Sequence, residues 1–411
     1  MRSVRDHNFT DELEKQLAAI REAGLRRELR RIDSPQGPRV EIGGKQFLNF
    51  SSNDYLGLAQ HPALREAAAR AVERFGAGSG ASRLICGSLA PHHELEEALA
   101  EFKGAEAALS FSSGYATALG VIGALLDKDD VVVIDKLVHA SVVDGARLSG
   151  AKLRVFDHND LTSLEKILKW ADARHAASVN STAAPPRRRR VLVVTESVFS
   201  MDGDLAPLRE IVELKDRYGA WLMLDEAHAT GLFGEKRRGL AEAFELADRV
   251  EVQMGTLGKA LGSAGGYICG ARSLIDLLVN RARSFIFSTA PTPATAVAGI
   301  AGIRLVQSSE GEQRRASLWS RVDQIKNALV GSPWPLPVVR SAILPLIAGA
   351  ESNAMAWAEA LRGAGVLIPA IRYPTVARGQ ARLRLTVTAA HTRDDVDQLS
   401  TALHALQPAA S

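Results

Sequence analysis

The sequence predicts an α/β fold: a large, mostly parallel sheet with helices on both faces, followed by a smaller α/β C-terminal unit. Three observations lead there. Residues 131–134, 191–194 and 221–224 are unbroken apolar runs, largely β-branched, the pattern of strands buried on both faces. Helical patterns, such as 208–218, lie between them, and alternating strands and helices build parallel sheets. After Pro293 the composition shifts to Ala-rich helices, which marks a second unit.

At 411 residues the chain is long enough to bury a large core and too long for one small domain. Apolar residues make up 46% and charged residues 24%, the balance of a soluble globular protein. A formal charge of +3 falls short of a nucleic-acid-binding signature, and 5% aromatics leaves few rings for base stacking. The acidic start (Asp6, Asp11, Glu12, Glu14) lacks the apolar core of a secretory signal, and the apolar stretch 118–126 is too short for a bilayer. A cytoplasmic protein without a membrane partner is expected. Cys86 and Cys269 have neither a C-x-x-C partner nor a nearby histidine pair. They read as reduced structural thiols, and no metal site is expected.

Along the chain, residues 11 to about 32 predict an amphipathic helix with Leu13, Leu17, Ile20 and Leu25 on one face. Its basic run, 26–31, reads as a solvated face that an anionic ligand could also meet. The segments 39–42 and 46–50 predict a hairpin leading into the main domain. Strands and helices then alternate from 51 to 293, and reactive residues of such sheets sit in loops after the strands' carboxyl ends. Residues 171–190 (ADARHAASVNSTAAPPRRRR) break the pattern and read as an exposed loop, its arginines as solvated charge. Strands at 338–347 and 381–387 and a closing helix complete the C-terminal unit. The expected division is 1–50 for the helix and hairpin, 51–293 for the large domain and 294–411 for the small one.

Three strand-end sites carry candidate chemistry. The strand at 221–224 runs into Asp225-Glu226-Ala227-His228. A carboxylate there can keep the ring nitrogen of a heteroaromatic cofactor protonated, and the imidazole can hold the same ring. A metal, or a structural hydrogen-bonded pair, would use the same D-x-x-H. Lys259 sits among glycines in Thr256-Leu257-Gly258-Lys259-Ala260-Leu261-Gly262. Partial burial there favours the neutral amine that a Schiff-base former needs. The G-x-x-x-x-G-K-[ST] spacing of a phosphate-loop lysine is absent; a plain surface lysine is the other reading. Ser112-Ser113-Gly114-Tyr115, before a helical run, would offer backbone N–H groups to a phosphate. Ser200 follows another strand end and could add a hydroxyl, while His139, after the strand at 131–134, could cover a flat ring. The glycines of 76–80 follow no convincing strand and have no acidic ribose partner, which argues against a dinucleotide fold.

Together these segments closely resemble the α-oxoamine synthases, a branch of the fold-type I pyridoxal-phosphate enzymes. Matching stretches are 49–58 (NFSSNDYLGL), 79–87, 139–141, 195–204 (TESVFSMDGD), 225–228, 256–259 and 381–386, within a resemblance that spans roughly residues 20 to 407. It implies pyridoxal 5'-phosphate as cofactor, an amino acid and an acyl thioester as substrates, and a homodimer with sites at the subunit interface. It implies that Lys259 bonds the cofactor, Asp225 partners the pyridine nitrogen, His228 touches the phenolic oxygen and His139 stacks on the ring. Gly114 and Tyr115 match backbone contacts to the cofactor, Ser200 and Thr256 side-chain contacts. Arg384 matches the arginine that grips the amino acid's carboxylate, with Asn53 nearby. Arg26 and Thr375 match positions that touch the acyl substrate, and Ser288-Thr289 a cross-subunit phosphate contact.

Within the family, residues 371–376 (IRYPTV), 381–386 and 389–391 (AAH) are most similar to the branch that joins L-alanine to a pimeloyl thioester, on CoA or acyl carrier protein, in biotin synthesis. Tyr373 stands where that branch often has a second proline. Residues 82–87 (SRLICG) also resemble the branch that uses glycine and acetyl-CoA. The resemblance thus implies a decarboxylative condensation that releases CO₂ and thiol. A binding protein that keeps the fold without turnover, and an aminotransferase, are the alternatives. The joint presence of Lys259, Asp225, His228, His139 and Arg384 weighs against the first, and the thioester-branch motifs weigh against the second.

Overall fold

In the computed structural model, which describes residues 9–179, 189–332, 334 and 336–406 (backbone alone for 174–179), the chain begins with a helix, Phe9–Glu22. Strands β1 (Arg39–Ile42) and β2 (Lys45–Asn49) follow as an antiparallel hairpin. The main sheet takes β3 (Ala107–Phe111), β4 (Val131–Asp135), β5 (Lys152–Phe156), β6 (Val191–Glu196), β7 (Trp221–Asp225), β8 (Val252–Thr256) and β9 (Gly266–Gly270). Their order is β3-β9-β8-β7-β6-β4-β5, and only β9 runs against the rest.

Val132, Ile134, Leu192, Val194 and Met223 pack into one apolar layer; Val131, Val133, Val193, Leu222 and Leu224 pack into the other. Successive side chains of a strand face opposite layers, and both layers are dry, so these strands read as unbroken apolar runs. Their common direction sets the carboxyl ends of β3, β4, β6, β7 and β8 along one edge.

The C-terminal part adds β10 (Ile343–Gly349), β11 (Val366–Leu367), β12 (Ala370–Ile371) and β13 (Ala381–Thr386). β13 is the centre of an antiparallel sheet with β10 and β12. β11 pairs in parallel with β2. The hairpin expected to lead into the main domain is therefore stitched to the C-terminal part.

Three expected elements differ. The helix over 11–32 stops at Glu22, where Gly24 takes a left-handed φ of 68° and the Gly24 and Leu25 amides close back on Arg21 and Ile20 carbonyls at 2.9 Å. Leu13, Leu17 and Ile20 stay 40–52% exposed, so no core holds a longer helix. The strand expected from 338 begins only at Ile343, because Val338 is exposed and has no layer to pack on.

The first half of the expected loop, 171–179, continues the helix Leu161–Val179. Its alanines are strong helix formers, and Ala171 is buried against the sheet. Arg190 is not solvated charge: Nε donates to Asp130 Oδ2 at 3.0 Å and Nη2 to Asp127 Oδ2 at 3.1 Å, seating the start of β6. Residues 180–188 of that expected loop lie outside the described residues. Among the described residues no helix is long and apolar enough to cross a membrane.

Candidate active site

A cavity of about 200 Å³ opens on the edge where the parallel strands end. After β3, Ser113 caps the helix Gly114–Leu125; its hydroxyl accepts from Ala116 N at 3.1 Å and its carbonyl from Thr117 N at 3.0 Å. The Gly114 and Tyr115 amides take no part in these bonds and lie at the helix's positive end. A Cβ on Gly114 would come within 2.7 Å of Thr256 Cγ2, so the ends of β3 and β8 close together only over a glycine. The Tyr115 ring turns outward, its hydroxyl donating to Asp144 Oδ2 at 2.5 Å.

After β4, His139 caps the helix Ala140–Leu148, its Nδ1 meeting the Ser141 hydroxyl at 2.8 Å and amide at 3.2 Å. β6 ends in Glu196 and leads to Ser200, β7 ends in Asp225 and leads to His228, and β8 ends in Thr256 and leads to Lys259. The five sequence segments thus meet because five strands share a direction.

Burial pulls the Lys259 amine below the usual lysine range, although Asp225 and Glu196 oppose it. Burial raises the Asp225 carboxyl, while Lys259 and the Ala227 amide, 2.9 Å from Oδ1, pull it back. Glu196 is pushed up to about 8, first by burial and then by the Asp225 charge. It accepts from the His139 amide at 2.6 Å and also from the Ser200 backbone. Burial holds His139 below the usual histidine range and His228 well below it. His228 Nδ1 lies 2.5 Å from the Tyr55 hydroxyl, so the partner of this D-x-x-H imidazole is a tyrosine.

The set fits pyridoxal phosphate. A buried, neutral-leaning lysine faces a carboxylate and two imidazoles, and unengaged amides sit at a helix N-terminus. Thr256 Oγ1, in the cavity lining, is buried without a hydrogen-bond partner among the described residues, so it is open to a bond from such a cofactor.

β13 brings Arg384 to the same place. Its Nε donates to the Ser200 carbonyl at 2.5 Å, and Nη1 donates to Asn53 Oδ1 at 3.0 Å and Thr386 Oγ1 at 2.9 Å. The Arg384 side chain also bonds the Tyr55 hydroxyl. Arg26 and Thr375 do not line the cavity. Arg26 is exposed and pairs with Glu28 at 2.9 Å, and it is Arg27 whose Nη2 reaches Thr375 Oγ1, at 3.4 Å. Thr289 forms a β-bridge with Ser82, also outside the cavity lining.

Glu196, Tyr55 and Ser141 belong to the site and were not singled out in the sequence, although each lies inside a matching stretch. For Glu196 the signal was present: an acid at a strand end, like Asp225.

The family model "Aminotransferase class I and II" matches residues 45–403. An 8-amino-7-oxononanoate synthase of Anaeromyxobacter sp. (strain Fw109-5) is 50% identical over 393 residues, covering 96% of this chain and 95% of the relative. One from Geobacter sulfurreducens is 45% identical over 395 residues, covering 96% and 97%. A variant serine palmitoyltransferase from S. paucimobilis, solved with bound PLP–myriocin, superposes with a TM-score of 0.87 at 28% identity, covering 96% of each chain. The chain belongs to the class I and II aminotransferase family of pyridoxal-phosphate-dependent enzymes, among the 8-amino-7-oxononanoate synthases.

Proposed function

We propose that the protein joins L-alanine to a pimeloyl thioester, releasing CO₂ and the thiol and giving 8-amino-7-oxononanoate for biotin synthesis. What carries this is the convergence of Lys259, Asp225, His139 and His228 on one strand-end cavity, with the Arg384 charge acting on His228 and Lys259 from beside it, in a chain whose relatives bear that name.

Pyridoxal phosphate, bonded to Lys259, supplies the electron sink for negative charge at the amino acid's Cα. Gly114 and Tyr115 bind it through backbone amides, and Ser200 and Thr256 through their hydroxyls. Asp225 would keep the cofactor's pyridine nitrogen protonated, and His139 would pack against the ring. Tyr55 keeps its own proton because burial raises it. In this reading its hydroxyl, 2.5 Å from His228 Nδ1, donates there, and the imidazole hydrogen on Nε2 would then serve the cofactor's phenolic oxygen.

Arg384 takes the alanine carboxylate in a charge-assisted bond beside Asn53 and so orients the Cα–H bond. Lys259, whose amine burial pulls below the usual lysine range, would take that proton. The Cα then bonds to the thioester carbonyl carbon as the C–S bond breaks, and the thiolate takes up a proton and leaves as thiol. The alanine carboxylate departs as CO₂, and the electron pair left at Cα takes a proton back.

The acyl substrate passes Arg26 and Thr375. Supporting this, Arg372 Nη2 holds the Arg26 carbonyl at 2.6 Å and Arg27 meets Thr375, so the two segments form one wall. The exposed arginines of 26–31 suit either CoA phosphates or an acidic acyl carrier protein. A homodimer completes the site. Leu84, Ile85 and Phe287 are 50–78% exposed beside the Ser82–Thr289 bridge, an apolar face for a second copy, with Ser288 and Thr289 reaching the partner's cofactor phosphate. The cytoplasm is the compartment of this reading.

The test is kcat/KM for alanine with pimeloyl thioester against glycine with acetyl-CoA in one buffer, with products identified by mass. The first pair should win by about tenfold or more. The reverse result overturns the substrate assignment and leaves the cofactor site standing.

A further inference from the structure

We propose that His158 is a positioning residue for amino-acid binding: it clamps the 199–205 loop, whose Ser200 carbonyl aims the Arg384 guanidinium. The role rests on Arg384 taking the amino acid's carboxylate, as proposed above.

His158 stands between carboxylates from two elements. Its Nδ1 lies 3.0 Å from Asp135 Oδ1 at the end of β4, and its Nε2 lies 2.9 Å from Asp204 Oδ2 in the loop after β6. An imidazole that donates from both nitrogens is the charged form. Burial works against that charge, but the bonds to Asp135 and Asp204 outweigh it and push the ring's pKa up to about 10. The ring also stands edge-on to Phe199, with centroids 4.4 Å apart and planes at 88°.

The two carboxylates are not equivalent. Asp135 is fully buried and also accepts from the Leu137 amide at 2.8 Å and the Asn159 amide at 2.9 Å. It is the fixed jaw. Asp204 is half-buried and belongs to the loop; beside His158 it has the Asn159 side-chain amide, at 2.9 Å. Removing the ring's charge leaves two carboxylates with less between them, and repulsion then moves the loop-borne one.

Movement at Asp204 reaches Arg384 directly. The Phe199 amide donates to the Asp204 carbonyl at 3.0 Å, and the Gly203 amide donates to the Phe199 carbonyl at 2.8 Å. Gly203, at φ 71°, is pressed so close that a Cβ would lie 2.3 Å from the Ile343 carbonyl oxygen. This tight turn presents the Ser200 carbonyl to Arg384, and the Met201 carbonyl and Asp202 to Arg382. Arg384 keeps Asn53 and Thr386 as its other anchors, so loss of the clamp misaims the guanidinium without freeing it.

The test uses the holoenzyme and alanine. Alanine affinity is read from the change in the cofactor's visible absorption, and hydrogen exchange is followed at the amides of 199–205. His158→Leu should weaken alanine binding about tenfold, with kcat at saturating alanine and the thioester KM changed much less. His158→Gln, which keeps one donor, should lose less. Asp204→Ala, which removes the loop-side partner of the ring altogether, should repeat the effect if the leucine variant folds poorly. Exchange at Phe199 and Gly203 should speed up in all three.

Because His158 acts through Arg384, adding His158→Leu to Arg384→Lys should weaken alanine binding little further. Alanine affinity within about twofold of the parent in His158→Leu, beside a weakened Arg384→Lys, overturns the clamp alone. Equal losses from His158→Leu in both backgrounds also overturn it, leaving His158 a general stability residue. An Arg384→Lys protein that binds alanine as the parent does overturns both the clamp and the assignment of Arg384.

Discussion

Glu196 and Asp225 stand opposite each other in register at the ends of the adjacent parallel strands β6 and β7, and Lys259 acts on both. Two buried carboxylates and one amine make a charge-poor site in which both acids ionise together only at a cost. In the proposed reaction Asp225 is the one that stays charged, to hold a protonated ring nitrogen. Glu196 therefore yields: it is pushed up to about 8 and spends its oxygens on the His139 and Ser200 backbones.

This makes apoprotein stability depend on pH in a defined direction. Glu196 binds its proton more tightly folded than unfolded, since its pKa rises from 4.5 to about 8. Its contribution is full below about pH 4.5 and is lost as pH rises through about 8. Glu196→Gln keeps the polar contact to His139 and removes the titration. The Tm of the apoprotein should therefore fall less between about pH 5 and 8 in that variant, as scanning calorimetry can measure. Identical slopes in both proteins would leave Glu196 without its raised pKa.

Asp225→Asn removes charge while nearly keeping shape. Exchange of the alanine α-proton, followed by NMR in D₂O, should fall on the order of 10³-fold or more, at about 1.4 kcal/mol per decade. Cofactor binding should suffer less, because the helix amides and Lys259 remain. Exchange within about tenfold of the parent would make Asp225 a structural acid.

Lys259→Ala should abolish the lysine-bound visible band of the purified enzyme, and borohydride should then fix no adduct on the tryptic peptide carrying position 259. The same treatment of the parent should label Lys259. A labelled peptide elsewhere in the parent would move the cofactor.

Much of this site was legible because it follows from strand direction. Apolar runs revealed β4, β6 and β7, and their direction then set His139, Ser200 and Asp225 along one edge, while Lys259 was legible from its glycine-flanked segment. Gly114 was legible as a helix start, and its tight approach to Thr256 shows why the position is a glycine. Tertiary facts were not legible. Residues 11–32 had a helical period throughout, but Gly24 ended the helix and no layer buried its apolar face. Residues 171–179 looked like loop beside prolines, although Ala171 packs in the core. Tyr55 gave no sign of its role because its partner, His228, is 173 positions away.

The N-terminal arginines provide the last test. Residues after Gly24 leave the helix and run exposed over the turn around Tyr373-Pro374, held there by Arg372 through the Arg26 carbonyl and by Arg27 through Thr375. On the N-terminal segment this tether uses the Gly24 and Arg26 carbonyls and the Arg27 side chain, so changing the charge of Arg26 or Arg30 should leave the segment in place. An anionic donor approaching this wall is steered by exposed charge, whose effect is screened over roughly 10 Å at 0.1 M salt. Arg26→Glu with Arg30→Glu should therefore raise the thioester KM several-fold at low salt, with the difference shrinking as salt rises and the alanine KM unchanged. Titrating ionic strength with both pimeloyl-CoA and pimeloyl-acyl carrier protein separates the donors, because the larger acidic partner should show the steeper salt dependence. A thioester KM that ignores both charge and salt would remove this wall from the acyl path.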